Sequence, residues 1–185
     1  MYNSFVNTPR LILLNGFAGS GKTTLAKRYI DEHPLALAVE GDEIIVRLGQ
    51  WKNHKDEARK LIFEITKSLV ATHLKSGHDV IMPYLLTNLD HAVAFENIAT
   101  ENHSDYCEIF LFDEKKVAVD RLLQRGTWGE EGLAPLTEKD LPAIEDLYDR
   151  MLTASIPRKM QIIRPTLNEI ESTYQQLLEL VSAEK

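Results

Sequence analysis

The segment that most constrains this chain is Gly16-Phe17-Ala18-Gly19-Ser20-Gly21-Lys22-Thr23, which satisfies the pattern G-x-x-x-x-G-K-[ST]. It follows the apolar run Leu11-Ile12-Leu13-Leu14 and precedes a helical stretch, Thr24 to His33. The motif requires that context, a strand running through a glycine-rich loop into a helix. Gly16, Gly19 and Gly21 open backbone angles closed to other residues, so successive N–H groups of Phe17, Ala18 and Ser20 can turn inward around phosphate oxygens at a helix N-terminus. Lys22 is then expected to reach the β- and γ-phosphates of ATP, with Thr24 opening the helix and the Thr23 hydroxyl on Mg²⁺. The alternative is a glycine-rich turn that merely precedes a helix.

The rest of the chain alternates in the same way. Apolar runs recur at Leu35 to Val39, Asp79 to Met82, Glu108 to Phe112 and Met160 to Ile163, each short enough for a strand buried on both faces. Between them, Ala58, Leu61, Ile62, Ile65 and Leu69 repeat at helical spacing, as do Leu167, Ile170, Tyr174, Leu177 and Val181. Thr166-Leu167-Asn168-Glu169 and Thr137-Glu138-Lys139-Asp140 resemble helix-starting caps. Strand and helix in alternation predict one doubly wound α/β domain over residues 1–185, with a five-stranded parallel sheet and helices on both faces. The long segment without an apolar period, Gly126 to Pro135, is a candidate lid.

Composition narrows the function class. The formal charge of −7 works against binding to polyanionic nucleic acid, so small-molecule partners are expected. No apolar run approaches the roughly 20 residues of a membrane-spanning helix, and Met1 to Pro9 lacks the basic-then-apolar order of a secretory signal. The cytoplasm is the expected location. A single cysteine, Cys107, lies in an apolar run and reads as a buried thiol. The six histidines are scattered without metal-ligand spacing.

With Glu40-Gly41-Asp42 after the second strand, the run from Leu11 through the phosphate loop resembles the nucleoside-monophosphate-kinase-like group of P-loop phosphotransferases. That group includes gluconate kinase, adenylylsulfate kinase, chloramphenicol phosphotransferase and tunicamycin-resistance-like relatives. The resemblance implies a strand order of 2-3-1-4-5, an ATP site at the loop and a small-molecule acceptor above the strand ends. It also implies that Asp42 contacts the acceptor hydroxyl as a base or an orienting group. The residues alone leave a second role open, in which Asp42 caps a helix from Glu43 to Leu48. Arg121 and Arg125 lie four apart on one helical face, where the group carries arginines that neutralise the transferring phosphoryl. Cations near a helix C-terminus would equally favour its dipole. Glu40 either faces the site or ends the strand, Arg47 either binds an anionic acceptor or is simply exposed, and Asp113 reads as the cap of the next helix. Phe17, Trp51, Tyr84, Leu85, Phe95 and Trp128 either line an acceptor pocket or pack in the core.

One departure stands out. Many relatives place an acid at the end of strand three, whereas Asp79-Val80-Ile81-Met82 here runs into Pro83-Tyr84, as in the tunicamycin-resistance subgroup. The expected activity is ATP-dependent transfer of a phosphoryl group to a hydroxyl of a metabolite, nucleoside or antibiotic. The rival is an ATP-binding resistance or sensor protein with little transferase activity. A polynucleotide 5′-kinase would need a basic channel with aromatic platforms, against which the acidic balance argues.

Overall fold

The computed structural model describes residues 8–128, 135–165 and 169–183. Strand β1 (Arg10–Gly16) leads into helix α1 (Lys22–Glu32), the two-residue strand β2 (Leu37–Ala38) and the short helix α2 (Gly41–Ile45). Helix α3 (Lys55–Lys75) precedes β3 (Val80–Tyr84), then α4 (Leu89–Glu101), β4 (Asp105–Leu111) and α5 (Lys115–Arg125). The chain closes with α6 (Leu141–Ser155), β5 (Gln161–Ile163) and α7 (Ile170–Ala183).

The strands form one parallel sheet in the order β2-β3-β1-β4-β5, as the resemblance implies. β1 is flanked on both sides and carries four wholly buried apolar residues, Leu11 to Leu14, which explains why its sequence there is a continuous apolar run. Alternation then sorts them. Ile12 and Leu14 face α1 and α7, packing with Tyr29, Cys107, Tyr174 and Leu177, while Leu11 and Leu13 join Val70, Leu74 and Phe95 of α3 and α4. A third cluster, built on Phe17, Phe110, Leu122, Tyr148 and Met151, seats α5 and α6 beside the phosphate loop.

Several expectations need correction. The strand expected from Leu35 to Val39 shrinks to Leu37–Ala38, because Leu35 turns into the left-handed region at φ 62° and is 69% exposed. On α3, helical spacing predicts Leu61 and Leu69 on the buried face, yet both are exposed, and the buried positions are Ala58, Ile62, Thr66, Val70 and Leu74. A four-residue step turns a helix by about 400°, so a stripe at that spacing winds by roughly 40° per step. Ala58 and Ile62 accordingly pack with Ile45 of α2, while Val70 and Leu74 pack on the sheet and α4. Ile170 of α7 is likewise exposed, whereas Tyr174, Leu177 and Val181 are buried. The cap at Thr137 does form: its hydroxyl and N–H both bond Asp140, in a single 3₁₀ turn ahead of α6. Residues 166–168 of the second expected cap, and residues 129–134 of the candidate lid, lie outside the described residues.

Candidate phosphate-transfer site

The loop from Gly16 to Thr23 leaves β1 at the carboxyl end of the sheet and enters α1. Gly16 is required by close approach, since a Cβ there would stand 2.8 Å from Ser20 Oγ and 2.9 Å from the Leu111 carbonyl. Gly21 is required by conformation: it precedes α1 at φ 94°, although no atom lies within 4 Å of the place a Cβ would take. The turn is closed by the Ser20 N–H donating to the Phe17 carbonyl at 3.2 Å.

Lys22 curls over this loop. Its Nζ donates to the carbonyls of Gly16 at 2.8 Å and Phe17 at 2.7 Å. Desolvation among these loop atoms lowers its pKa from 10.5 to about 8; Asp42 and Glu40 pull the value up, and Arg125 pushes it down. Three charged groups from two other segments therefore act on the loop lysine: two carboxylates after β2 and the last arginine of α5.

Thr23 is exposed at the start of α1, and its hydroxyl donates to Glu40 Oε2 at 2.8 Å. Burial raises the Glu40 pKa; the Thr23 bond and Lys22 oppose that rise, and Glu43 and Asp42 reinforce it. The described residues hold no group of three or more His, Cys, Asp or Glu able to bind a metal unaided. An exposed hydroxyl beside one carboxylate fits Mg²⁺ that arrives on nucleotide phosphates and keeps several waters.

Asp42 does not cap a helix. α2 spans Gly41–Ile45, shorter than and upstream of the expected Glu43 to Leu48, with Glu40 at the cap position and no side-chain cap bond. The Asp42 side chain is exposed, and its charge acts on both Lys22 and Tyr84. Arg47, beyond α2, is exposed.

Asp113 is not a cap either, since Glu114 holds that position on α5. Its carboxylate grips Arg121 with contacts of 2.7 and 3.2 Å, and the same guanidinium reaches the Gly19 carbonyl at 3.4 Å. Arg121 therefore links the loop to Asp113, while Arg125 is the arginine whose charge reaches Lys22. Phe17 contributes its backbone to the loop, but its side chain is 1% exposed and packs edge-on against Tyr148 at 5.3 Å. Phe95 is also fully buried, which removes both rings from an acceptor surface.

Sequence reasoning passes over Asn15. Wholly buried, it accepts from the N–H of Gly16 at 2.8 Å and of Leu86 at 3.0 Å, and donates to Ser155 Oγ at 2.8 Å. One amide thereby ties the first loop residue to the segment after β3 and to the end of α6. Its only signal is a polar residue ending an otherwise apolar strand.

Comparisons with known proteins agree with this architecture. No curated protein sequence matches the chain. Among solved structures, the APS kinase CysC of Mycobacterium tuberculosis in complex with AMPPNP and APS superposes with a TM-score of 0.61 at 15% identity, over 95% of this chain and 98% of that one. The tunicamycin resistance protein of Deinococcus radiodurans gives 0.60 at 15% identity, over 96% and 95%. A chain of the Pnkp1/Rnl/Hen1 RNA repair complex gives 0.65 at 20% identity over 91% of this chain, which spans only 52% of its length. At such identities the likeness establishes the fold, which is that of the P-loop kinases. The family profile described as AAA domain matches residues 11–150, through the loop, both arginines and most of α6, and on that match the chain belongs to the AAA_33 family.

Proposed function

We propose that this protein is an ATP-dependent phosphotransferase that moves the γ-phosphoryl group of ATP to a hydroxyl of a small molecule. The observation that carries the reading is Lys22 lying over the phosphate loop with its Nζ on the Gly16 and Phe17 carbonyls, where the charges of Asp42 on α2 and of Arg125 at the end of α5 both act on it. In this reading Phe17 to Thr24 cradle the phosphates, and Lys22 leaves the Gly16 and Phe17 carbonyls to bind the β- and γ-phosphates. Mg²⁺, when bound, neutralises charge on those phosphates, with Thr23 as its protein ligand and Glu40 positioning the hydroxyl. Asp42 accepts the proton of the attacking hydroxyl. A bond forms from that oxygen to the γ-phosphorus, the bond from the bridging oxygen breaks, and ADP leaves. Arg125 offsets the charge that spreads over the transferring group.

A second reading is favoured by one feature. β3 ends in Pro83-Tyr84 without an acid, so a nucleotide-binding resistance protein with little transfer would keep the loop and lose the chemistry. A transfer screen with ATP·Mg²⁺ against nucleosides, sugars and antibiotics separates the two. Phosphorylation of an acceptor is the expected result, whereas tight nucleotide binding with no transfer across the panel would favour the binder.

A further inference from the structure

Near Asp42, whose charge acts on Tyr84 and whose neighbour Gly41 lies close against Ile62 of α3, the structure assembles three half-buried rings from three elements. Tyr84 ends β3, directly opposite Asn15 in the ladder and so next to the start of the phosphate loop. Its hydroxyl bonds His91 Nδ1 of α4 at 2.7 Å. Phe63 of α3 stacks on the His91 ring, with centroids 4.0 Å apart and planes 19° from parallel. Behind them the fully buried Phe95 meets Phe63 and Tyr84 edge-on, each at 5.7 Å, and holds both rings in place. The three front residues keep part of their surface open.

We propose that this corner of Phe63, Tyr84 and His91 is the acceptor subsite, and that it takes an uncharged, ring-bearing alcohol with its ring against the aromatic wall and its hydroxyl toward Asp42. The inference rests on the phosphotransferase reading above and names the substrate class of that site. Charge selects against an anionic acceptor. Asp42 acts on Tyr84, Asp42 and Glu43 both act on Glu40, and Lys67, the cation that reaches His91, is paired with Glu64 at 2.9 Å and lies over the Phe63 ring. Burial lowers the His91 pKa, Lys67 adding to this and Asp90 opposing it, so the imidazole is neutral at physiological pH. The dyad still offers one polar hydrogen whichever tautomer holds: His91 Nε2–H when Tyr84 donates, or the Tyr84 hydroxyl hydrogen when Nδ1–H donates. A partly open aromatic corner, one donor and a nearby carboxylate base suit a neutral ring with hydroxyls.

Matched pairs test this directly. Uridine against uridine 5′-monophosphate, and 4-nitrophenyl glucoside against 4-nitrophenyl glucuronide, together with neutral aryl-alcohol antibiotics, are titrated into the protein loaded with Mg²⁺ and a non-hydrolysable ATP analogue. The expected result is that at least one neutral probe binds, tenfold or more tighter than its anionic partner where it has one. Phe63→Leu, which keeps apolar volume without a ring, should weaken that probe about tenfold. Tyr84→Phe should raise the KM for the acceptor severalfold, with the ATP-analogue affinity and the thermal midpoint of both variants little changed. Tighter binding of the anionic partners, their loss in Arg47→Ala, no saturable binding of any neutral probe, or indifference to Phe63→Leu would overturn the proposal. A neutral probe that binds through Phe63 but is never phosphorylated would uphold the subsite and refute the phosphotransferase reading. Transfer to an anionic acceptor alone would do the reverse.

Discussion

At the scale of single residues, Lys22 is the side chain whose chemistry is most exposed to test. A lysine with its pKa lowered to about 8 is held in a place that disfavours its charge. The cost is present in full below pH 8 and is relieved as pH rises from there towards 10.5, the ordinary value. In the absence of nucleotide, stability should therefore rise by up to ~3 kcal/mol over that window from this group, and Lys22→Met should flatten the rise. Phosphate reverses the balance by favouring the ammonium, so binding of ATP near pH 8 to 9 should take up protons. Titration calorimetry in two buffers of different ionisation enthalpy reads that uptake, which should vanish in Lys22→Ala along with most of the affinity. Proton-neutral binding in the unmodified protein would show that Lys22 does not meet the phosphates. The loop and its lysine are legible in the sequence because their chemistry is local. Glu40, Asp113 and Asn15 are not, because each acquires its meaning from a partner that only the folded chain brings to it: Thr23, Arg121, and the pair Leu86 and Ser155.

At the scale of elements, the α6–β5 connection is held by charge. Arg158 donates to Glu108 Oε2 at 2.8 Å and to Glu96 Oε2 at 2.7 Å, joining this turn to β4 and α4. Burial opposes the guanidinium charge, yet the bonds to Glu108 and Glu96 outweigh it and hold the pKa above its ordinary value. The Glu108 side chain is only 7% exposed, and its Oε1 is buried without a hydrogen-bond partner. Arg158→Ala would strand that carboxylate, so the loss of folding stability should be on the order of 3 kcal/mol, read from urea unfolding. Glu108→Leu in the same background should restore much of it. A loss below about 1 kcal/mol would mean that water reaches Glu108 once the arginine is gone. Element order is readable from apolar runs, since strands buried on both faces leave little room for polar residues. The buried face of α3 is not. Leu61 and Leu69 repeat as a helical core would, but the helix changes partner from α2 to the sheet along its length, and the contact stripe winds away from them.

At the scale of the whole molecule, the parallel sheet gathers the loop, the end of β2, the end of β3 and the start of α5 along one edge. That is where ligands bind in open α/β sheets, at the carboxyl ends of the strands and where the strand order reverses. β1 sits at that reversal, with β3 on one side and β4 on the other, so in the proposed reading Asp42 approaches the phosphate loop from the β2–β3 side and Arg125 from the β4 side. The central claim is that Asp42 serves the acceptor hydroxyl at that meeting point. Asparagine keeps its shape and removes its charge, and because Asp42 makes no cap bond the change costs the fold little. Single-turnover transfer from ATP·Mg²⁺ to an acceptor found by the screen, measured beside ATP affinity, is the direct test. The account predicts that Asp42→Asn binds ATP within a few-fold of the unmodified protein and transfers the phosphoryl group about 10²–10⁴-fold more slowly. Equal transfer rates in the two proteins would contradict it.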